Sequence, residues 1–276
     1  MAGFRASFLL LFYQVALGGL FAIAATPFHE LERGFYKSTA GVLFIVGLLG
    51  LLGKSDIHLQ SLSRGIGLVA ALELLFDLFF LVFFSLYLFS LWGERILFRA
   101  RTFSLSLLLG LAGLALSSRS FYQATFWSIE TFLYPLSFFL SALLLGSVTV
   151  GMLIGHWYLI DTGQSVDPFI RIFRFFFVTL ILQMISFLIL PSVLFLLGSP
   201  NTVLKLRLLW EEHYFLLWTR LLIGQVAPLI LSAMIWHTLK IPHTMAATGL
   251  FYIALLGVFV GEILGRQILA LTSLPF

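Results

Sequence analysis

The chain has 276 residues, of which 61% are apolar and only 10% are charged, and its mean hydropathy is +1.07. A water-soluble domain carries about 25% charged residues, so this sequence lacks the polar surface to cover a globule in water, and soluble and disordered chains are excluded. The formal charge of +4 comes from 16 Lys and Arg scattered between apolar runs, which provides no continuous basic surface for nucleic acid.

Hydrocarbon about 30 Å thick needs roughly 20 apolar residues of helix, and its backbone polar groups must be satisfied within the segment. The apolar runs lack the strict period of two of a membrane barrel. The sequence therefore predicts an all-α, polytopic integral membrane bundle of about eight transmembrane helices, forming one domain over residues 1–276. The predicted spans are 7–26, 35–53, 65–92, 103–118, 132–160, 169–198, 208–239 and 244–271.

The first run, from Arg5 to Ala22, Ala24 and Ala25, imitates a signal peptide but reads as a retained span, because the chain after it stays apolar. Ser104, Ser106, Ser117 and Ser118 shorten the fourth, and residues 121–127 are expected along the interface. Lys54-Ser55-Asp56, Asp161-Thr162-Gly163, Gly198-Ser199-Pro200-Asn201 and Ile241-Pro242 read as connections. Gly18-Gly19, and Gly41 with Gly47, permit close helix approach. Pro135, Pro191 and Pro228 are expected to kink the fifth, sixth and seventh helices.

Eight spans put both ends of the sequence on one side, face A. Lys and Arg are nearly balanced between face A and the opposite face B, so the positive-inside rule sets no orientation. The expected residence is a prokaryotic cytoplasmic (inner) membrane.

An ionisable side chain in hydrocarbon costs about 3 kcal/mol or more, so each implies a partner or a polar cavity. One set runs from mid-membrane toward face A: Gln14, Glu73, Asp77, Arg220, Gln225, Glu262 and Arg266. Glu73 and Asp77 are four residues apart and share one side of their helix. At that spacing joint ionisation in a low dielectric requires a cation between them, and Arg220 is the expected one. Glu73, Asp77 and Arg220 are thus candidates for a proton path or substrate cavity, while Glu262 and Arg266 have the order of an i,i+4 ion pair.

The second set lies near face B: His29, His156, Tyr158 and His237, with further aromatic groups. Imidazole can exchange a proton near neutral pH or hydrogen-bond a quinone carbonyl. His156 and His237, at similar depth on different helices, have the minimum geometry for a bis-His haem b. Amphipathic rings also suit the headgroup level with no ligand at all. No metal site is assigned. With no cysteine in the sequence, iron–sulfur ligation, thiolate zinc and thioether-linked haem are excluded. Motifs of hydrolases, nucleotide-binding loops and zincins are absent from the sequence.

The segment Phe12-Tyr13-Gln14-Val15-Ala16-Leu17-Gly18-Gly19-Leu20 resembles the opening helix of the membrane anchors of polysulfide and dimethyl sulfoxide reductases, the NrfD-like family. Gly261-Glu262-Ile263-Leu264-Gly265-Arg266 resembles the last helix of those anchors. The two segments cover about a tenth of the chain. The resemblance implies an all-helical anchor that binds a quinol, passes its electrons to an extrinsic iron–sulfur subunit, and uses the matching positions Gln14, Glu262 and Arg266.

Three functions follow as expectations. The first is a quinone-binding membrane subunit of a respiratory complex, not catalytic alone, with lipid and redox subunits as partners. In it His156 contacts the head group, with Tyr158, His237, His29, Gln14, Glu262 and Arg266 as further binding candidates. The second is a proton-coupled secondary transporter or permease built on Glu73, Asp77 and Arg220. The third is a scaffold subunit without chemistry of its own.

Overall fold

A computed structural model describes residues 3–276 apart from 27, 29, 64–67, 123–126, 162 and 242, and gives the backbone alone for 59–63. Among the described residues every regular element is a helix: α1 (Phe4–Ala24), α2 (Arg33–Ser63), α3 (Leu68–Ser90), α4 (Ile96–Arg119), α5 (Glu130–Ile160), α6 (Asp167–Leu197), α7 (Pro200–Glu212), α8 (Tyr214–Leu221), α9 (Ala227–Lys240) and α10 (Thr244–Thr272). Eight helical segments are long and apolar enough to cross a membrane, the seventh running continuously from Tyr214 to Lys240. The chain is an integral, multi-pass membrane protein.

Several predicted boundaries move. The fourth helix is a full span of 24 residues, because Ser106 and Ser118 donate to the carbonyls of Phe103 (2.8 Å) and Ala115 (2.7 Å) and so satisfy their hydroxyls within the helix. Lys54-Ser55-Asp56 is not a connection: α2 continues through it to Ser63. The seventh span starts at Tyr214 rather than 208, since α7 is a separate helix carrying Lys205, Arg207, Glu211 and Glu212. Its start is built as a cap: the Ser199 side chain accepts from the Thr202 amide, and Pro200 opens the first turn. Glu130, on α5, accepts from the Ser199 amide (2.6 Å) and ties α7 to the bundle. Of the interface segment 121–127, residues 123–126 lie outside the described residues, and Phe121 and Tyr122 are buried.

Helices α1 and α5 form the centre of the bundle and the others present apolar side chains such as Leu68, Phe89, Leu196 and Leu256 outward. Hydropathy does not select the centre, since the outward-facing α3 and α6 are more apolar than α1 and α5; small residues that admit close neighbours do. The α1–α5 crossing is backbone against backbone: a Cβ on Gly18 would sit 1.7 Å from the Ala142 carbonyl oxygen, and one on Gly146 would sit 1.9 Å from the Gly18 carbonyl carbon. Gly47 also packs closely, against Ala16 and Leu81, whereas Gly41 faces open space and takes no part in helix approach.

Pro135 and Pro191 lie inside α5 and α6. Ahead of Pro228 the seventh span widens into a π-helical turn, Leu222–Val226, in which the Ala227 amide donates to Leu222. Proline cannot supply the amide that a regular helix needs there, and the wider turn accommodates the missing bond. The turn is also where α10 comes nearest, with Gly224 against Gly261. After α10 the chain turns back into the bundle: Tyr134 and Ser137 on α5 donate to the carbonyls of Ser273 (2.9 Å) and Pro275 (2.6 Å).

Candidate functional site

Two buried ionic clusters lie on either side of α1, both in the half of the membrane toward face A. The first joins α1, α2, α3 and α4. Lys54 Nζ donates to Glu73 Oε1 (3.1 Å) and lies 3.6 Å from Asp77 Oδ2. Ser117 Oγ, from α4, donates to the same Glu73 oxygen at 2.6 Å. The Tyr13 hydroxyl donates to the Gly110 carbonyl (2.9 Å) and sits beside Asp77 in the space a Gly113 side chain would fill. Lys54, Glu73 and Asp77 are all buried.

Here two carboxylates face one ammonium. With both ionised the cluster carries one excess negative charge, and a single added proton makes it neutral. A cavity of about 130 Å³ opens beside it, lined by Lys54, Glu73 and Ser117 together with His58, one helical turn from Lys54. His58 is buried and its Nε2 has no hydrogen-bond partner among the described residues.

The second cluster joins α1, α5, α8 and α10. Glu262 receives Arg220 on one oxygen (3.0 Å) and Arg266 on the other (3.1 Å). Ser141 donates to Glu262 and accepts from Arg266 (3.1 Å). Arg266 also donates to Gln14 Oε1 at 2.7 Å, and the Gln14 amide nitrogen donates to the Phe138 carbonyl at 2.8 Å. Arg220 and Arg266 lie over the rings of Phe187 and Phe138. In this cluster two guanidiniums share one side-chain carboxylate, and the Phe276 main-chain oxygen lies close to Arg220.

The structure thus redistributes the predicted polar groups. Arg220 is not the cation of Glu73 and Asp77: its neighbour is α10, where Glu262 takes it, and Lys54 fills the role expected of it. The Glu262–Arg266 pair forms as its spacing predicts, and Gln14 joins it from the other end of the sequence. Gln225, on the π turn, is buried with Oε1 unpartnered among the described residues.

The face-B residues differ in burial. His156 and His237 are exposed; His156 Nδ1 meets the Tyr252 hydroxyl at 3.2 Å. Tyr158 is buried, and its hydroxyl donates to the Ser165 carbonyl. His29 lies outside the described residues. Sequence reading missed Lys54, His58, Tyr13, Ser117 and Ser141; the four-residue spacing of Lys54 and His58, with no Gly or Pro between them, was the signal for two of them.

No family model, curated protein or solved structure matches this chain.

Proposed function

We propose that this protein is a proton-handling integral membrane subunit of a respiratory electron-transfer complex, exchanging protons with face A through Lys54, Glu73 and Asp77. What carries the reading is the pairing of two buried carboxylates with one ammonium beside a small cavity that Lys54, His58, Glu73 and Ser117 help to line. Glu73 lines the cavity and takes the proton first. Asp77, one turn deeper and shared with Lys54, takes it next, so that the charge count of the cluster changes by one at each exchange. At about 30 Å³ per molecule the cavity holds about four waters, enough for a proton path.

The assignment to an electron-transfer complex rests on the resemblance of two segments to quinol-oxidising anchors, and on the contact between those segments through Arg266 and Gln14. No residue is assigned to a quinol head group. Two measurements test the proposal. Native mass spectrometry of the protein from its own membrane is expected to show redox subunits, with retained quinone; a lone chain would overturn the respiratory reading. In the same complex in liposomes, Asp77→Asn is expected to lower proton-coupled turnover about a hundredfold with assembly intact, since Lys54 keeps Glu73. Unchanged turnover would remove the proton path.

A second reading, a proton-coupled transporter, is favoured by the π turn beside Arg220, a local widening of the helix of a kind frequent at functional sites. It predicts solute uptake driven by an ion gradient and lost in Asp77→Asn.

A further inference from the structure

Far from both ionic clusters, a groove of about 510 Å³ opens between α6 and α9 on the outer surface of the bundle toward face B. Its walls are almost wholly apolar. Phe173 and Trp236 stack at its outer end (ring centroids 5.7 Å, planes within 16°), and Phe177 and Leu229 line its deeper part. The one side-chain hydroxyl there, on Ser232, is spent on the Leu229 carbonyl at 2.7 Å.

The outer end is charged, and with one sign. Arg174 lines the groove, and the Lys240 ammonium lies 5.0 Å from the centroid of the Trp236 ring. Both are exposed, and neither has a carboxylate within ion-pair distance among the described residues. Arg171, one turn before Arg174, is by contrast paired with Glu30 at 2.8 Å. Arg174 lies seven residues into α6, about 10 Å below the face-B end at 1.5 Å per residue, a depth from which an arginine reaches the headgroup level.

We propose that this groove binds an anionic phospholipid, with its phosphate between Arg174 and Lys240 and an acyl chain running inward past Phe177 and Leu229. The charge at the mouth decides the class of ligand. A neutral isoprenoid would fill the apolar floor but leave two cations without a counter-charge, and a zwitterionic lipid brings its phosphate already compensated by its own ammonium, whereas an anionic headgroup supplies net negative charge to both.

The test uses the purified, delipidated protein in mild detergent with added phosphatidylglycerol or phosphatidylcholine of the same chains, read by native mass spectrometry. The expected result is preferential retention of phosphatidylglycerol, with the preference falling about fivefold in each of Arg174→Gln and Lys240→Gln, as about 1 kcal/mol per basic residue implies. Ala233→Phe, which fills the exposed groove wall and leaves both charges, is expected to abolish retention. Brominated phosphatidylglycerol should quench a fluorescence component that is missing in Trp236→Phe. Equal retention of the two lipids, or a preference unchanged in Arg174→Gln and Ala233→Phe, would overturn the proposal, as would displacement of phosphatidylglycerol by a neutral isoprenoid quinone.

Discussion

Lys54 holds the first cluster together, because Glu73 and Asp77 both depend on its single ammonium. Breaking a buried ion pair by removing one partner costs about 3–5 kcal/mol, since the remaining charge is left uncompensated. Lys54→Met is therefore expected to lower stability by about that amount, whereas the triple variant Lys54→Met, Glu73→Gln, Asp77→Asn, which removes every charge, should cost less than the single one. Thermal unfolding of the two variants in detergent checks the order. The second cluster gives a matching asymmetry. Glu262→Gln leaves two guanidiniums facing each other without a carboxylate, while Arg220→Met leaves Glu262 still paired with Arg266. The glutamate variant should unfold at the lower temperature, and equal losses would mean that the two arginines do not share that carboxylate. At this scale the sequence was only half legible. The depth of each ionisable group followed from counting along its helix, but the choice of partner depends on which helices are neighbours. That is why Arg220 was matched to carboxylates at similar depth on the wrong helix, and why Lys54, after an apolar run ending in Gly53, read as the end of a span.

Among the elements, α1 and α5 show how composition sets contact. Glycine lets two helices meet at the backbone, and Gly18 with Gly146 does so where any Cβ would overlap the opposing chain. Gly18→Ala is expected to cost at least the ~1–3 kcal/mol of an overpacked core. Gly41→Ala, with nothing within 4 Å of the new methyl group, should leave the unfolding temperature unchanged or slightly raised through helix propensity. Equal effects in the two variants would place the α1–α5 crossing elsewhere. The eight spans were legible because hydrocarbon thickness imposes one length on every crossing. The ends were not, because a charged residue at the edge of an apolar run marks either the membrane surface or a buried site. Lys54 is the second kind, and the charges of α7 are the first.

Over the whole molecule, α1 separates two buried ionic clusters. Consecutive residues of this helix serve the two sides: Tyr13 stands beside Asp77, while Gln14 reaches Arg266. Phe121, which lines the cavity of the first cluster, packs edge-on against Phe138, which lies under Arg266 in the second. Which compartment the proposed proton path opens to is a question of topology, and the sequence makes the measurement direct because it contains no cysteine to give background labelling. Gly93, Gly163 and Asn201 are exposed and lie outside the eight spans, the first two toward face B and the third toward face A. In a membrane-impermeant maleimide assay, Gly93→Cys and Gly163→Cys should label from one side of the membrane and Asn201→Cys only from the other. Labelling of all three from one side would break the eight-span arrangement. The expected pattern assigns the cavity beside Glu73 to the compartment in which Asn201→Cys reacts, and a pH step applied there, but not on the opposite side, should change proton-coupled turnover.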